Sequence, residues 1–480
     1  MIPVLAVLVL ATPASLAAEI RIASLVSREK ALATVRELVG FGPRMGGTAS
    51  GNRAAAAIAG RMKELGLAVE VIEDPAKTFH EESSWKVALP DQTLASAWPY
   101  GFSPDLARTE APLVIEPAHV IPEAAYDMKG AVVLTGRPAR EVYGSAVAAG
   151  AIALLTDSPG DPNRYQDWAP IESLERIARG DPPIPVFGLS YNDGRLLRGA
   201  TAARITIALE STIGSGNPRT VVGRLPGAGT LSEEIIIVCA HGDSDSGGPG
   251  ADDNASGVAT VLEVARALTG ATATGLLPND RPSILFIIWG AEYHSTKAWV
   301  LAHPGEVARL RAVINFDETG IGAERDSVYY EGDDIPFVAP LLRVIESVAD
   351  DHSRDEGFAA SYTSVPAQGG TDAYVFLPRK HRGLGLIDRE VPATTIFTAA
   401  WDKPSLLPRT PGWSSKGWTG QGDIFVDYSP VYHSSGDTPE RTTEKEPWNM
   451  ERCARLTALA IFRLMGPPPP PPPPAPQSQP

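Results

Sequence analysis

The chain has 480 residues, 43% of them hydrophobic and 21% charged, with a formal net charge of -15. That length predicts two or three domains with a sizeable core, and the acidic balance excludes a nucleic-acid or anionic-membrane binder, because phosphate recognition needs a basic footprint. Its two cysteines, Cys239 and Cys453, exclude a disulfide framework and a cysteine-built metal site.

The opening "MIPVLAVLVLATPASLAAEI" is apolar from Ile2 to Ala11 and closes on Ser15, Leu16 and Ala17. It reads as a secretory signal over residues 1–17, with the amino terminus as its only positive charge, and predicts a periplasmic or secreted protein. About ten apolar residues fall short of the ~20 that cross a bilayer, so no membrane span is expected. "SREKALATVRELVG" reads as a helix capped by Ser27, with Leu32, Val35, Leu38 and Val39 on one face and Gly40 as its stop. A glycine-rich turn, an alanine-rich helix ending at Gly66 and the strand "LAVEVIED" follow.

From about Leu106 to Ile213 the texture changes to short strands and alanine-rich helix without an acid–histidine cluster. This predicts a second domain, 106–213, inserted between two parts of one larger domain, 18–105 and 214–466. From Glu233 the pattern becomes regular: "EEIIIVCAHGD", "SILFIIW" and "RAVINFD" are continuous apolar runs, separated by a helix over 254–268 and a helical stretch over about 295–310. Such runs are strands of a parallel sheet covered on both faces, joined by right-handed crossovers. The proline run 467–474 and its polar tip, within 467–480, read as an extended spacer or tail outside the fold.

In open α/β sheets ligands bind beyond the carboxyl ends of the strands. Those ends deliver His241 and Asp243, then Glu292 and His294, then Asp317 and Glu318. "GADDNASG" adds Asp252 and Asp253 at a helix start, where one of them is expected to cap the helix, and "PVYHSSGD" adds His433 and Asp437. Imidazole nitrogens and carboxylate oxygens suit zinc. Two metals bridged by one carboxylate would activate a water against a carbonyl, and Asp243, two residues past His241, is placed to orient its imidazole. Each residue alone has a plain structural reading as a cap, a solvated strand end or a loop histidine; together they mark a site.

These residues resemble the secreted zinc exopeptidases that include bacterial leucyl aminopeptidases and glutamate carboxypeptidase II. "HGD", "GADDNASG", "WGAE", "NFDETG" and "YHSSGDT" match in family order, "GFGPRMGG" resembles the segment that leads into the family's fold, and "KGAVVL", "AVAAGAIALL" and "IPVFGLS" resemble the protease-associated domain that several members carry. The resemblance implies an α/β zinc-peptidase fold, a mixed and largely parallel sheet sandwiched by helices, with a β-rich protease-associated insert. It implies two zinc ions: His241 and Asp317 on one, His433 on the other, Asp253 bridging. Asp243 would orient His241, Glu292 would be the general base, and Tyr432 would donate to the oxyanion.

One departure stands out. Where the family has two consecutive glutamates, base and then ligand, this chain has Glu292, Tyr293 and His294. Either His294 replaces the missing ligand, the reading preferred on spacing, or the second zinc is weak or lost, or Glu292 is itself the ligand. The implied activity is hydrolysis of peptides by an aminopeptidase. A carboxypeptidase stands as the alternative: Glu318 or Asp252 would receive a substrate amine, Arg379 or Arg409 a carboxylate. A glutaminyl cyclase is disfavoured by the insert, and a binding protein that has lost its metals is disfavoured by the five ligand and base positions. "GWSSKGWTGQGD" is expected to wall the site.

Overall fold

The computed structural model describes residues 13–116, 128–158, 166–178, 180, 183–200, 204–244, 247–322, 327–352, 354–359, 361–367, 370–398 and 431–465. Most of the expected signal, the proline tail and the tryptophan-rich stretch lie outside the described residues. No described helix is long and apolar enough to cross a membrane.

The main sheet has eight strands: β1 (Ala68–Glu73), β2 (Arg219–Leu225), β3 (Ile235–His241), β4 (Ser283–Trp289), β5 (Leu310–Phe316), β6 (Ser327–Glu331), β7 (Ser361–Val365) and β8 (Ala393–Phe397). Their spatial order is β1-β2-β4-β3-β5-β8-β6-β7. The central β4, β3, β5 and β8 run parallel, while β2 and β6 flank them antiparallel, so the sheet is mixed. Every residue of β3 and β4 is buried, which is why both read as unbroken apolar runs. The helices Arg28–Val39, Ala49–Glu64, Gly257–Ala273, Ala339–His352 and Asn449–Leu464 pack into the same core. Ser27 caps the first of these through the Lys30 amide.

The chain leaves β3 for β4 on one side and then crosses to β5 on the other. That reversal makes the carboxyl end of β3 a topological switch point, the place where such sheets bind ligands. The helical stretch expected to run to residue 310 comes as two helices, His294–Ala302 and Pro304–Val307, parted at His303, whose φ of -122° and ψ of 52° lie outside the helical region that the residue before a proline avoids.

A second eight-stranded sheet is built from residues 77–89, 92–93, 98–99, 106–115, 132–135, 153–156, 186–188 and 204–216, with two apolar clusters of its own. It starts ahead of Leu106, where the texture of the sequence changes, because strand 77–89 pairs along its length with 204–216. That strand reads "KTFHEESSWKVAL", too polar at its centre to announce a sheet. The pair continues directly from β1 and β2, which are themselves neighbours. Asp74 and Pro218 close the neck through a 2.9 Å backbone hydrogen bond, and Asn217 donates to the Asp74 carbonyl.

The helix Pro13–Ala23 spans the expected cleavage point at Ala17 and packs against the carboxy-terminal helix. Glu19 is 1% exposed and receives Nε and Nη2 of Arg463, both at 2.8 Å, and Nε2 of His352 at 2.7 Å. The other His352 nitrogen meets Asp355 at 2.8 Å. Burial alone would lower the His352 pKa; hydrogen bonds to Glu19 and Asp355 outweigh it and raise the value. A raised imidazole pKa stabilises the fold fully below its unfolded value, ~6.5, and the contribution is lost as pH climbs through the folded value. The thermal midpoint should therefore fall on the alkaline side of pH ~6.5, and His352→Gln should flatten that limb; identical wild-type and variant profiles would remove the assignment.

Candidate functional site

His241 ends β3, and its register explains its neighbours. Cys239 pairs with Asn315 and His241 with Trp289, so two residues beyond the first pair come His241 and Asp317, while three beyond Trp289 comes Glu292. His241 is 1% exposed. Its Nδ1 lies 3.1 Å from the Asp243 carbonyl and 3.2 Å from Asp243 Oδ1, which fixes the proton on Nδ1 in the neutral ring. Its Nε2 then faces Asp253 Oδ1 at 3.3 Å and Asp317 Oδ1 at 3.4 Å.

One nitrogen and two carboxylate oxygens converge here: among the described residues, His241, Asp253 and Asp317 are the group able to hold a metal ion. The donor set fits zinc, which in catalytic sites is held by three protein groups and leaves a place for water. Burial pushes the His241 pKa down, but Asp317, Asp243 and Asp253 outweigh it and hold the imidazole well above its ordinary value. That preference for positive charge is what a bound cation would satisfy instead of a proton.

Asp253 turns its other oxygen, Oδ2, to His433 Nε2 at 3.1 Å, so one carboxylate stands between two imidazoles. Burial would raise its pKa, yet His241 and His433 draw it well below the carboxylate range. Its position is set from behind. Asp437 accepts the amides of Asp252 at 2.7 Å and Asp253 at 3.1 Å, and burial raises Asp437 to about 7. Neither Asp252 nor Asp253 caps the following helix as expected. Asn254 Oδ1 accepts the Gly257 amide, whereas Asp252 Oδ1 accepts the amide of Gly320, and Asp253 is the one of the two that joins the metal group.

Glu292 stands in the turn after β4, with its amide on Asp243 Oδ1 at 3.0 Å. The same carboxylate that orients His241 thus anchors Glu292. Burial raises the Glu292 pKa well above its ordinary value; His241 opposes this, while Asp372, Asp317 and Asp253 add to it. The next amide, of Tyr293, goes to Asp372 Oδ1 at 3.0 Å, and Thr296 Oγ1 donates to the same oxygen. Asp372 is fully buried and raised to about 6, chiefly by burial. Two consecutive amides held by two buried carboxylates fix the turn.

His294 is not brought into the metal group. Tyr293 has φ 50° and begins a helix at His294, which sends the histidine the other way, its Nε2 2.7 Å from the Pro75 carbonyl. The spacing that favoured it as a replacement ligand is undone by one left-handed residue. Tyr432 stacks on the His433 ring, centroids 3.7 Å apart. Among the acids considered for an amine, Asp252 is 1% exposed, and Glu318 Oε1 is buried with no hydrogen-bond partner among the described residues. Arg379 is exposed in the turn Arg379–His381, and Arg409 lies outside the described residues.

Residues without a sequence signal complete the site. Arg44 is fully buried: Nη1 donates to Pro249 O at 2.8 Å, Nη2 to Gly250 O at 2.7 Å, and its amide to Ser244 Oγ. It thereby clamps the loop between His241 and Asp253. "GFGPRMGG" drew notice as a motif, but nothing in its spacing points at that loop.

Residues 220–458 match the model of Peptidase family M28. The chain is 31% identical over 241 residues to the probable lipoprotein aminopeptidase LpqL of Mycobacterium tuberculosis, covering 48% of this chain and 45% of that relative. It is 28% identical over 299 residues to the aminopeptidase YwaD of Bacillus subtilis, covering 60% and 61%. The chain thus spans about half the length of the one relative and three fifths of the other. The fold matches a zinc aminopeptidase, BSAP, from Bacillus subtilis with a TM-score of 0.59 at 20% identity, over 92% of this chain and 95% of that one. It also matches a peptidase M28 precursor from Shewanella amazonensis with a TM-score of 0.61 at 18% identity, over 95% and 99%.

Proposed function

Because the chain belongs to peptidase family M28, we propose that it is a zinc-dependent exopeptidase that removes amino-terminal residues from peptides. The observation that carries this reading is the convergence of His241 Nε2 with oxygens of Asp253 and Asp317, beside a glutamate whose backbone hangs from the same Asp243 that orients the histidine. The names of the two relatives favour the aminopeptidase over the carboxypeptidase. The second sheet is proposed to be a protease-associated insert, and the protein to act outside the cytoplasm, the latter in keeping with the word lipoprotein in one relative's name.

A zinc ion held by His241, Asp253 and Asp317 would lower the pKa of a water and polarise the scissile carbonyl. Glu292 takes the proton of the attacking water and returns it to the leaving amine. Asp243 keeps the His241 nitrogen turned inward and fixes the Glu292 amide, so ligand and base hold one spacing. Asp253 faces His433 with its second oxygen, which supports a second ion. Asp253 and His433 are the ligands it would have among the described residues, so it should be held more weakly than the first.

A panel of aminoacyl anilides and of peptides with free carboxyl ends tests the reading. Hydrolysis of the anilides, lost on chelation and restored by zinc, is expected; zinc-loaded protein inert on both sets would end the enzyme reading, and cleavage only from the carboxyl end would reverse the polarity. His294→Ala should keep the wild-type zinc content and turnover. If zinc per chain drops in that variant, His294 is a ligand after all.

A further inference from the structure

The second sheet does more than sit beside the peptidase core. Its connecting segment Trp168–Ile171 forms an antiparallel bridge, Pro170 against Ser434, to the loop that carries His433. The Ile171 amide donates to the His433 carbonyl at 2.7 Å. The Ser435 amide donates to the Ala169 carbonyl at 2.9 Å, and the Ala169 amide returns to Ser435 Oγ at 2.9 Å. A Cβ added to Gly436 would lie 2.6 Å from Trp168 Cγ, so loop and indole are in direct contact. Arg441 covers the Trp168 ring at 4.9 Å.

The segment is equally fixed on its own side. The Gly101 amide donates to Glu172 O at 3.0 Å and the Leu174 amide to Gly101 O at 2.7 Å, and Ala169 and Ile171 are buried. His433 needs such support. Its φ of 46° lies in the left-handed region that residues with a Cβ disfavour, and such a conformation persists only where the surroundings over-determine it. The loop has little regular structure of its own: Ser434 Oγ donates to Val431 O, and the Asp437 amide donates to Ser434 O at 3.2 Å. Three hydrogen bonds join this loop to the connecting segment of the second sheet.

We propose that Trp168–Ile171 is a positioning element of the metal site, holding His433 at Asp253 from outside the peptidase core. This rests on the reading of His433 as a metal ligand. The inserted sheet is then a working part of the site, and affinity for the metal depends on residues that touch neither metal nor substrate.

Ile171→Pro removes the amide that holds His433 while keeping an apolar residue, and it follows a proline already in extended backbone. Gly436→Ala opens the same seam from the loop side. Ile171→Val keeps the amide. The full-length chain is stripped of metal and titrated with Co2+, reading affinity by competition and ligand geometry by the visible absorption of the bound ion. The two disruptive variants should bind the His433-dependent Co2+ about 10–100-fold more weakly, as loss of supporting contacts does, with altered absorption and unchanged circular dichroism. Ile171→Val should match wild type. His433→Ala shows which part of the binding belongs to that histidine.

If His433→Ala weakens Co2+ while both disruptive variants keep wild-type affinity and absorption, the positioning role is wrong and the peptidase reading stands. If His433→Ala itself binds as wild type does, the ligand assignment falls, and the positioning role with it. Should Ile171→Pro fail to fold, Gly436→Ala decides alone.

Discussion

Glu292→Gln is expected to lower kcat by about 10²–10⁴-fold, the range attributable to a positioned proton carrier, while zinc content and folding stay at wild-type levels. The amide side chain keeps the size and the backbone bond to Asp243 Oδ1, so what is lost is the proton acceptor alone. The pH profile supplies the sign. In the proposed role Glu292 would work as a carboxylate, and burial with its acidic neighbours holds its pKa above the ordinary glutamate value. Activity should then rise with pH through that raised value, on an acid limb that the variant lacks. A bound dication favours the ionised form and moves the limb to lower pH as metal is loaded. Unchanged kcat in the variant would dismiss Glu292 as the base.

Arg44→Met should cost on the order of 3–5 kcal/mol in denaturant unfolding, as removing one member of a buried charged cluster does. The guanidinium is fully buried, and burial lowers it to about 10 against the pull of Asp437, Asp243 and Asp253, so it stays charged at neutral pH. Its removal strands the carbonyls of Pro249 and Gly250 and leaves three buried carboxylates less compensated. Arg44→Lys keeps the charge but not the fork that reaches both carbonyls, and should fall between wild type and Met. Since the clamped loop ends in Asp253, both variants should also bind zinc more weakly. A stability change under about 1 kcal/mol for Met, within reach of one ordinary hydrogen bond, would contradict the clamp.

What the sequence disclosed and what it hid divide along a physical line. His241, Glu292 and Asp317 were legible because each follows an apolar run buried along its length, and a parallel sheet brings such ends together wherever the runs pair. Asp253 and His433 were legible through local motifs. Arg44 and Asp372 act across long stretches of chain on backbone groups, and no periodicity records that; Asp437 stood out beside His433, but its hold on the amides of Asp252 and Asp253 did not. His294 misled because spacing along a chain gives distance only when the backbone between is regular, and Tyr293 is left-handed. The strand 77–89 of the second sheet gave no signal because its middle is polar. The seam at Trp168–Ile171 joins two segments with nothing in common in composition.

The closed neck between Asp74 and Pro218 bears on how the chain reaches this fold. Asp74 and Asn217 are 143 positions apart, and closing so long a loop before any contact rewards it is slow. If strands 77–89 and 204–216 pair first, within a unit that has its own apolar clusters, the ends meet already aligned. The pairing of β1 with β2 then becomes the extension of an existing ribbon. A long-range search is turned into a zipper, and the edge of the main sheet is finished by a domain that lies outside it.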